Sequence, residues 1–201
     1  MDLQAIAAFF QKHGFQTAVF DTAAQAAVYL DSTIDGVSVS YGGSMTVAQM
    51  GLLDKLKTHN DVIGHWDVPD GMTKQEVYAK AAVTDVYLCS ANGASETGEL
   101  VNIDGHGNRV SSTLYGHKKV YFIVGVNKFA PTLEEAMWRA RNIASPKNAQ
   151  RLGRKTPCAV KGDRCYDCNS PERICNGFVI QARKLSSCET HVILVNEPLG
   201  F

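Results

Sequence analysis

Apolar positions along the chain recur with a period that switches repeatedly between two and about 3.6 residues, the mark of strands alternating with helices. Leu3 to Phe10 has helical spacing, Thr17 to Phe20 reads as a short strand, and Ala23 to Leu30 as a helix with Asp21 or Thr22 at its N-cap. Gly36 to Ser40 alternates as a buried strand. It runs into Tyr41-Gly42-Gly43-Ser44-Met45-Thr46, after which Val47, Met50, Leu53 and Leu56 return at helical intervals. Asp61 to Gly64 predicts a strand, Thr73 to Ala82 a helix, and Thr84 to Ser90 another strand. Glu99 to Ile103 and Arg109 to Leu114 predict two strands joined by a tight turn at Asp104-Gly105-His106-Gly107-Asn108. Lys119 to Gly125 is the most apolar run and is expected near the centre of a sheet. Leu133 to Ile143 predicts a helix and His191 to Asn196 a last strand.

This order predicts an α/β fold: a mostly parallel sheet with helices on both faces, with ligands bound outside the carboxyl ends of the strands. Three loops are expected there: the one after Ser40, the one from Ser90 to Gly98, and Gly125-Val126-Asn127-Lys128. In the first, Gly42, Gly43, Ser44 and Thr46 form a strand, glycine turn and helix start that presents N–H groups and hydroxyls to an anion. It has neither the Lys of a Walker motif nor the third glycine of a dinucleotide fingerprint. The plainer alternative is a βα turn in which Ser44 caps the helix. In the second loop, Glu96 lies among small residues, placed to act as general base or nucleophile, with Asn92, Ser95 and Thr97 to orient a substrate. A solvated turn carboxylate is the alternative. Lys128, at the end of the most apolar strand, is a candidate to neutralise a substrate carboxylate, with a surface lysine as the plainer reading. Asn108 and Arg109 are expected to close a hairpin. The histidines show no zinc-ligand spacing, which leaves His106 and His117 as weak candidates.

Composition narrows the partners. Of 201 residues, 45% are hydrophobic and 20% charged, and Lys plus Arg balance Asp plus Glu, so nothing calls for nucleic acid or an anionic membrane. One domain over 1–201 with a small appendage is expected. The first helix is too short and polar for a signal segment, and no run approaches a membrane span, so a cytoplasmic protein is expected.

Four of the six cysteines, Cys158, Cys165, Cys168 and Cys175, stand as C-x6-C-x2-C-x6-C in the loop-like segment 156–176. Three readings stay open. Four thiolates at one corner of the chain can hold a 4Fe-4S cluster. The same sulfurs can hold structural zinc, although zinc ribbons usually show two C-x2-C knuckles and this chain has one. Two disulfides are the third reading, which a cytoplasmic location disfavours. Cys89, in a buried strand, reads as core, and Cys188 as an extra thiol.

The ordered stretches GGSMT, SANGASETGELVNIDGHGNRVS, YGHKKVYFIVGVNKF, LEEAMWRARNIASPKNAQRL, TPC…CYDCNSPERICN and VILVNEPLGF resemble the LUD-domain family, the lactate-utilization domain formerly classed as DUF162. The resemblance spans essentially the whole chain. It implies a fold similar to the sugar-phosphate isomerase and coenzyme A transferase-like (NagB/RpiA/CoA transferase-like) superfamily. By motif position, Gly42, Gly43, Ser44 and Thr46 would hold a phosphate or carboxylate, and Glu96 would be the acidic residue. It also implies a setting of lactate-type organic-acid oxidation beside iron–sulfur partner subunits. A homo-oligomer is a separate expectation. The chain is similar to the stand-alone branch with a C-terminal Cys motif, and departs from the family pattern at Tyr41 and His117. Three functions are compatible: an iron–sulfur oxidoreductase component, a non-redox isomerase or transferase using Glu96 beside a structural zinc, and a non-catalytic ligand-sensing subunit.

Overall fold

The computed structural model describes residues 1–201. Six parallel strands form the main sheet, in the order β1-β10-β7-β4-β2-β3: β1 (Gln16–Phe20), β2 (Ser38–Tyr41), β3 (Asp61–Gly64), β4 (Val86–Cys89), β7 (Lys119–Gly125) and β10 (Glu189–Val195). The strand at Lys119–Gly125 is interior, as its apolar run predicts. Its side chains divide by the two-residue period: Val120, Phe122 and Val124 enter one core, Tyr121 and Ile123 the other. Strands β4 and β10 divide in the same way, so the near-continuous apolar runs follow from burial on both faces. α1 (Leu3–Lys12) covers one face. α2 (Ala23–Thr33), α3 (Met45–Gln49) and α4 (Leu52–Leu56) cover the other, and α5 (Lys74–Ala81) packs beside β3. The periodicity from Val47 to Leu56 is two short helices rather than one, because Gly51 sits at φ 62° between them.

A second sheet has four strands in the order β8-β5-β6-β9: β5 (Gly93–Ser95), β6 (Leu100–Asp104), β8 (Phe129–Ala130) and β9 (Gly177–Gln181). β5 pairs with β8 in parallel, while the β5–β6 and β6–β9 pairs are antiparallel. The apolar alternation of β5 and β8 is too short to announce strands.

One predicted strand is a helix. Residues Arg109 to Leu114 lie in α6 (Asn108–Leu114), entered through Gly107 at φ 95°. The buried Asp104 carboxylate decides this, because its Oδ2 accepts the N–H groups of Arg109 at 3.1 Å and Val110 at 3.2 Å. Those are first-turn amides that a hairpin would have sent to a partner strand.

The helix expected over Leu133 to Ile143 runs on. α7 (Leu133–Arg139) passes through a π-helical turn at Ala140–Ala144 into α8 (Ser145–Arg151). A cap at Thr132 starts α7, with Glu135 completing a capping box. The 156–176 segment then holds α9 (Pro157–Lys161) and irregular chain before β9. No helix is long and apolar enough to cross a membrane.

Candidate functional site: a polar anion pocket beside a cavity of cysteines

Chain segments that follow four parallel strands meet at one end of the main sheet. After β2 come Gly43, Ser44, Met45 and Thr46; after β4, Ser90, Ala91 and Asn92; after β7, Lys128; after β10, Gly200 and Phe201. Arg109 from α6 and Ala144 and Asn148 from the long helical segment complete the lining of a cavity of about 40 Å³. A ligand at the carboxyl ends of the strands is what this topology favours.

Its chemistry is cationic and short of acceptors. Lys128 is only 4% exposed, and its Nζ donates to the Ala91 carbonyl at 3.2 Å, with no carboxylate paired to it. Burial first, then the positive fields of Arg139 and Arg109, bring the Lys128 ammonium down to about 7. Arg139, itself lowered by burial to about 10, donates to the Asn127 carbonyl at 2.7 Å and the Asn92 carbonyl at 2.6 Å. It therefore clamps the two loops that deliver Asn92 and Lys128. The Asn92 Oδ1 accepts the Ile103 N–H at 2.8 Å, which leaves its amide N–H groups as donors. Ser90 Oγ is buried in the lining with no hydrogen-bond partner, and Tyr87 OH is likewise orphaned beneath the Gly42 turn. Buried polar atoms without protein partners are rare in native proteins, and one of these stands in the lining itself.

The glycine turn acts partly as expected. Ser44 caps α3 through an N–H from Val47 at 3.3 Å, and the first-turn amides of Met45 and Thr46 have no intrahelical acceptor. Gly42 does not line the pocket. A Cβ there would lie 2.5 Å from Tyr87 OH and 2.8 Å from Arg109 Cγ, so this glycine makes room for the arginine stem. The Thr46 hydroxyl donates to the Leu199 carbonyl at 3.2 Å and ties the Leu199–Phe201 segment over the pocket. Gly200, at φ 62°, donates its N–H to Gln49 Oε1 at 2.7 Å.

Of the residues singled out in the sequence, Gly43, Ser44, Thr46, Asn92 and Lys128 share this cavity. Arg109, Ser90 and the Gly200–Phe201 wall join them without a signal in the sequence, and Glu96 stands elsewhere. Glu96 lies beyond the far end of β5 from Asn92, four residues and roughly 13 Å along an extended chain. Its N–H donates to the Ala130 carbonyl at 2.8 Å, and its side chain is not part of the lining. His117 is buried in a hydrogen bond with the Thr84 carbonyl at 2.8 Å, and His106 stands near Tyr78. The departure at Tyr41 is a buried side chain whose hydroxyl donates to Asp67 at 2.8 Å.

On the other side of α8 all four clustered cysteines line one small cavity, together with Arg141, Ser145, Pro146, Ala149, Thr156 and Arg173. No disulfide joins any of the six cysteines. The C-x2-C turn takes Asp167 to φ 48°, the one non-glycine residue at positive φ, a conformation Asp tolerates better than most. Cys165 Sγ accepts the Asp167 N–H at 3.3 Å and Arg141 Nε at 3.5 Å, while Arg173 pins the loop through the Cys168 carbonyl at 2.7 Å. Burial pushes the Cys175 thiol up, opposed by Arg173. The donor chemistry of four thiols on one cavity fits a thiolate-held group, and N–H groups directed at sulfur are one of the levers on such a group. No three His, Cys, Asp or Glu side chains stand in coordinating geometry about one point.

A family model described as the LUD domain matches residues 3–195. No curated protein matches the chain. Among solved structures, a DUF162 family protein from Deinococcus radiodurans is similar at 13% identity and a TM-score of 0.51, over 96% of this chain and 95% of that one. Ribose 5-phosphate isomerase A from Neisseria gonorrhoeae is similar at 12% identity and a TM-score of 0.35, over 55% and 54% of the two chains, too weak a likeness for argument.

Proposed function

The chain belongs to the LUD domain family, the lactate-utilization domain, and on that premise we propose that it serves small organic-acid oxidation by binding a carboxylate or phosphate group in the Lys128 pocket beside a cysteine-held 4Fe-4S cluster. The observation behind the anion site is Lys128: a buried ammonium, crowded by two arginines and without a carboxylate partner, lacks only the anion that would neutralise it. In this reading Lys128 and Arg109 meet the anionic oxygens, Asn92 and Ser90 orient the remainder of the ligand, and the Gly200–Phe201 wall excludes water. Lys128, about half protonated at pH 7 without the ligand, becomes fully protonated as the anion enters.

Cys158, Cys165, Cys168 and Cys175 would be the ligands, and a bound cluster would supply single-electron chemistry. The cysteines lie across one helical segment from the pocket, because Ala144 and Asn148 face the pocket while Ser145 and Ala149 face the sulfurs. A single structural zinc is the second reading, favoured by the compactness of the cysteine-lined cavity, about 10 Å³ or room for roughly one water-sized sphere. Cytoplasmic placement, iron–sulfur partner subunits and self-association belong to the same proposal.

Two measurements test it. Metal analysis and the visible spectrum of protein purified without oxygen separate about four irons per chain from one zinc, and the cluster reading fails on colourless protein. Calorimetry with lactate, pyruvate and inorganic phosphate in buffers of different ionisation enthalpy reads affinity and proton uptake together. Absence of binding by all three would remove the anion site.

A further inference from the structure

The anion pocket opens outward. Past Gly43, Arg109 and Asn148, which line both spaces, lies a groove of about 510 Å³ bordered by Lys74, Arg151, Arg154, Trp66 and Tyr78. We propose that this groove is a nucleotide subsite, with a base against Trp66 and Tyr78 and phosphates on Arg109, Arg151 and Arg154. The ligand of the inner pocket would then be an acid or phosphate attached to a nucleotide handle, an inference that rests on reading the inner pocket as an anion site.

Size argues first. The inner cavity, about 40 Å³, admits an anionic head group and little more, whereas the outer groove has the dimensions of ordinary small-molecule sites, roughly 300–1,000 Å³. Charge argues second. The groove's one carboxylate, Asp104, is already engaged by the α6 amides and by Arg109 Nε at 3.6 Å. Lys74, Arg151 and Arg154 take part in no ion pair. Burial first, then the field of Arg109, lower the Arg151 guanidinium, whose Nε and Nη2 donate to Asn148 Oδ1 at 3.1 and 2.8 Å rather than to a carboxylate. In a chain of zero formal charge such a concentration is local, which suits a compact polyanion better than a polymer.

The aromatic rim argues third. Trp66 is 43% exposed and edges Tyr41, and Tyr78 completes a cluster with His65 and His106. A Cβ added at Gly43 would lie 3.4 Å from Trp66 Nε1, so the indole stands directly beside the anion loop. Exposed rings next to paired guanidiniums are how proteins take hold of a base and its phosphates.

The chain has two tryptophans, so Trp138→Phe leaves Trp66 as the sole indole reporter. Titrating that protein with ADP, ribose 5-phosphate, inorganic phosphate and a single-stranded oligonucleotide is the experiment. ADP is expected to quench Trp66 and to bind at least tenfold tighter than phosphate. Arg151→Ala with Arg154→Ala is expected to weaken ADP about tenfold while leaving phosphate affinity within twofold. Phosphate binding with ADP no tighter and Trp66 silent overturns the groove and leaves the anion pocket standing. No binding by either ligand overturns both. Ribose 5-phosphate equal to ADP overturns the base site, and an oligonucleotide tighter than ADP overturns the small-ligand assignment.

Discussion

The anion pocket and the cysteine-lined cavity share a wall yet differ in almost every other respect. The pocket is assembled from Gly43, Asn92, Arg109, Lys128 and Gly200, residues scattered over most of the chain, with Lys128 in the turn after β7 and Arg109 on α6. The cavity draws its sulfurs from Cys158 to Cys175, a single irregular stretch packed on α8. One flank of the helix presents Ala144 and Asn148 and the neighbouring flank Arg141, Ser145 and Ala149, each set at the four-residue spacing that places side chains on a common face. The pocket holds its charge at a cost in burial, whereas the cavity is lined by thiols and by helix residues that carry no such cost. A helix this central can separate two chemistries only if each can be disturbed without the other.

The sharpest way to break that separation is to remove sulfur. Cys165→Ser with Cys168→Ser is expected to abolish metal binding altogether while phosphate affinity stays within about threefold, since α8 keeps its packing; calorimetry and metal analysis read both. A collapse of phosphate binding would join the two sites into one. Lys128→Met is the converse. It should lower anion affinity about a hundredfold, the usual scale for deleting one partner of a buried charge pair, and leave metal content unchanged. The same substitution should raise the thermal stability of ligand-free protein by a few kcal/mol at pH 7 or below, because it removes an uncompensated buried charge.

A smaller effect follows from protons. The anion prefers protonated Lys128, whose value in the empty pocket is about 7, so affinity should fall about tenfold between pH 6 and pH 8. For stability the sign is opposite. The folded value lies below the unfolded one, so ligand-free protein binds fewer protons than the unfolded chain above pH 7 and gains stability as pH rises toward 10.5. Lys128→Met should flatten both profiles. Gly42→Ala should displace Arg109 and weaken phosphate by several-fold, with a stability loss of about 1–3 kcal/mol from overpacking against Tyr87. Glu96→Gln, distant from the lining, should change anion affinity less than twofold; a large loss would bring the β5 turn back into the site.

Much of the fold is legible in the sequence because runs such as VYFIVG need burial on both faces and so name themselves as interior strands. The cysteine group is legible because its thiols are close in sequence. Arg109 was not, because its segment alternates weakly and the deciding contact is the Asp104 carboxylate, which makes a helix of what reads as a hairpin. The β5 and β8 strands escaped because two or three residues hold too little periodicity to count.

The sequence by itself determined the alternation of strands and helices, the glycine turn that starts α3, the thiol spacing and the family resemblance, all of which depend on neighbours along the chain. Only the tertiary structure decided that Lys128 is buried without a counterion, that Arg109 stands over the pocket, that Glu96 does not line it, and that one helix divides two sites. Those facts depend on which distant segments share a volume, and in that volume burial and electrostatic fields set the chemistry of each side chain.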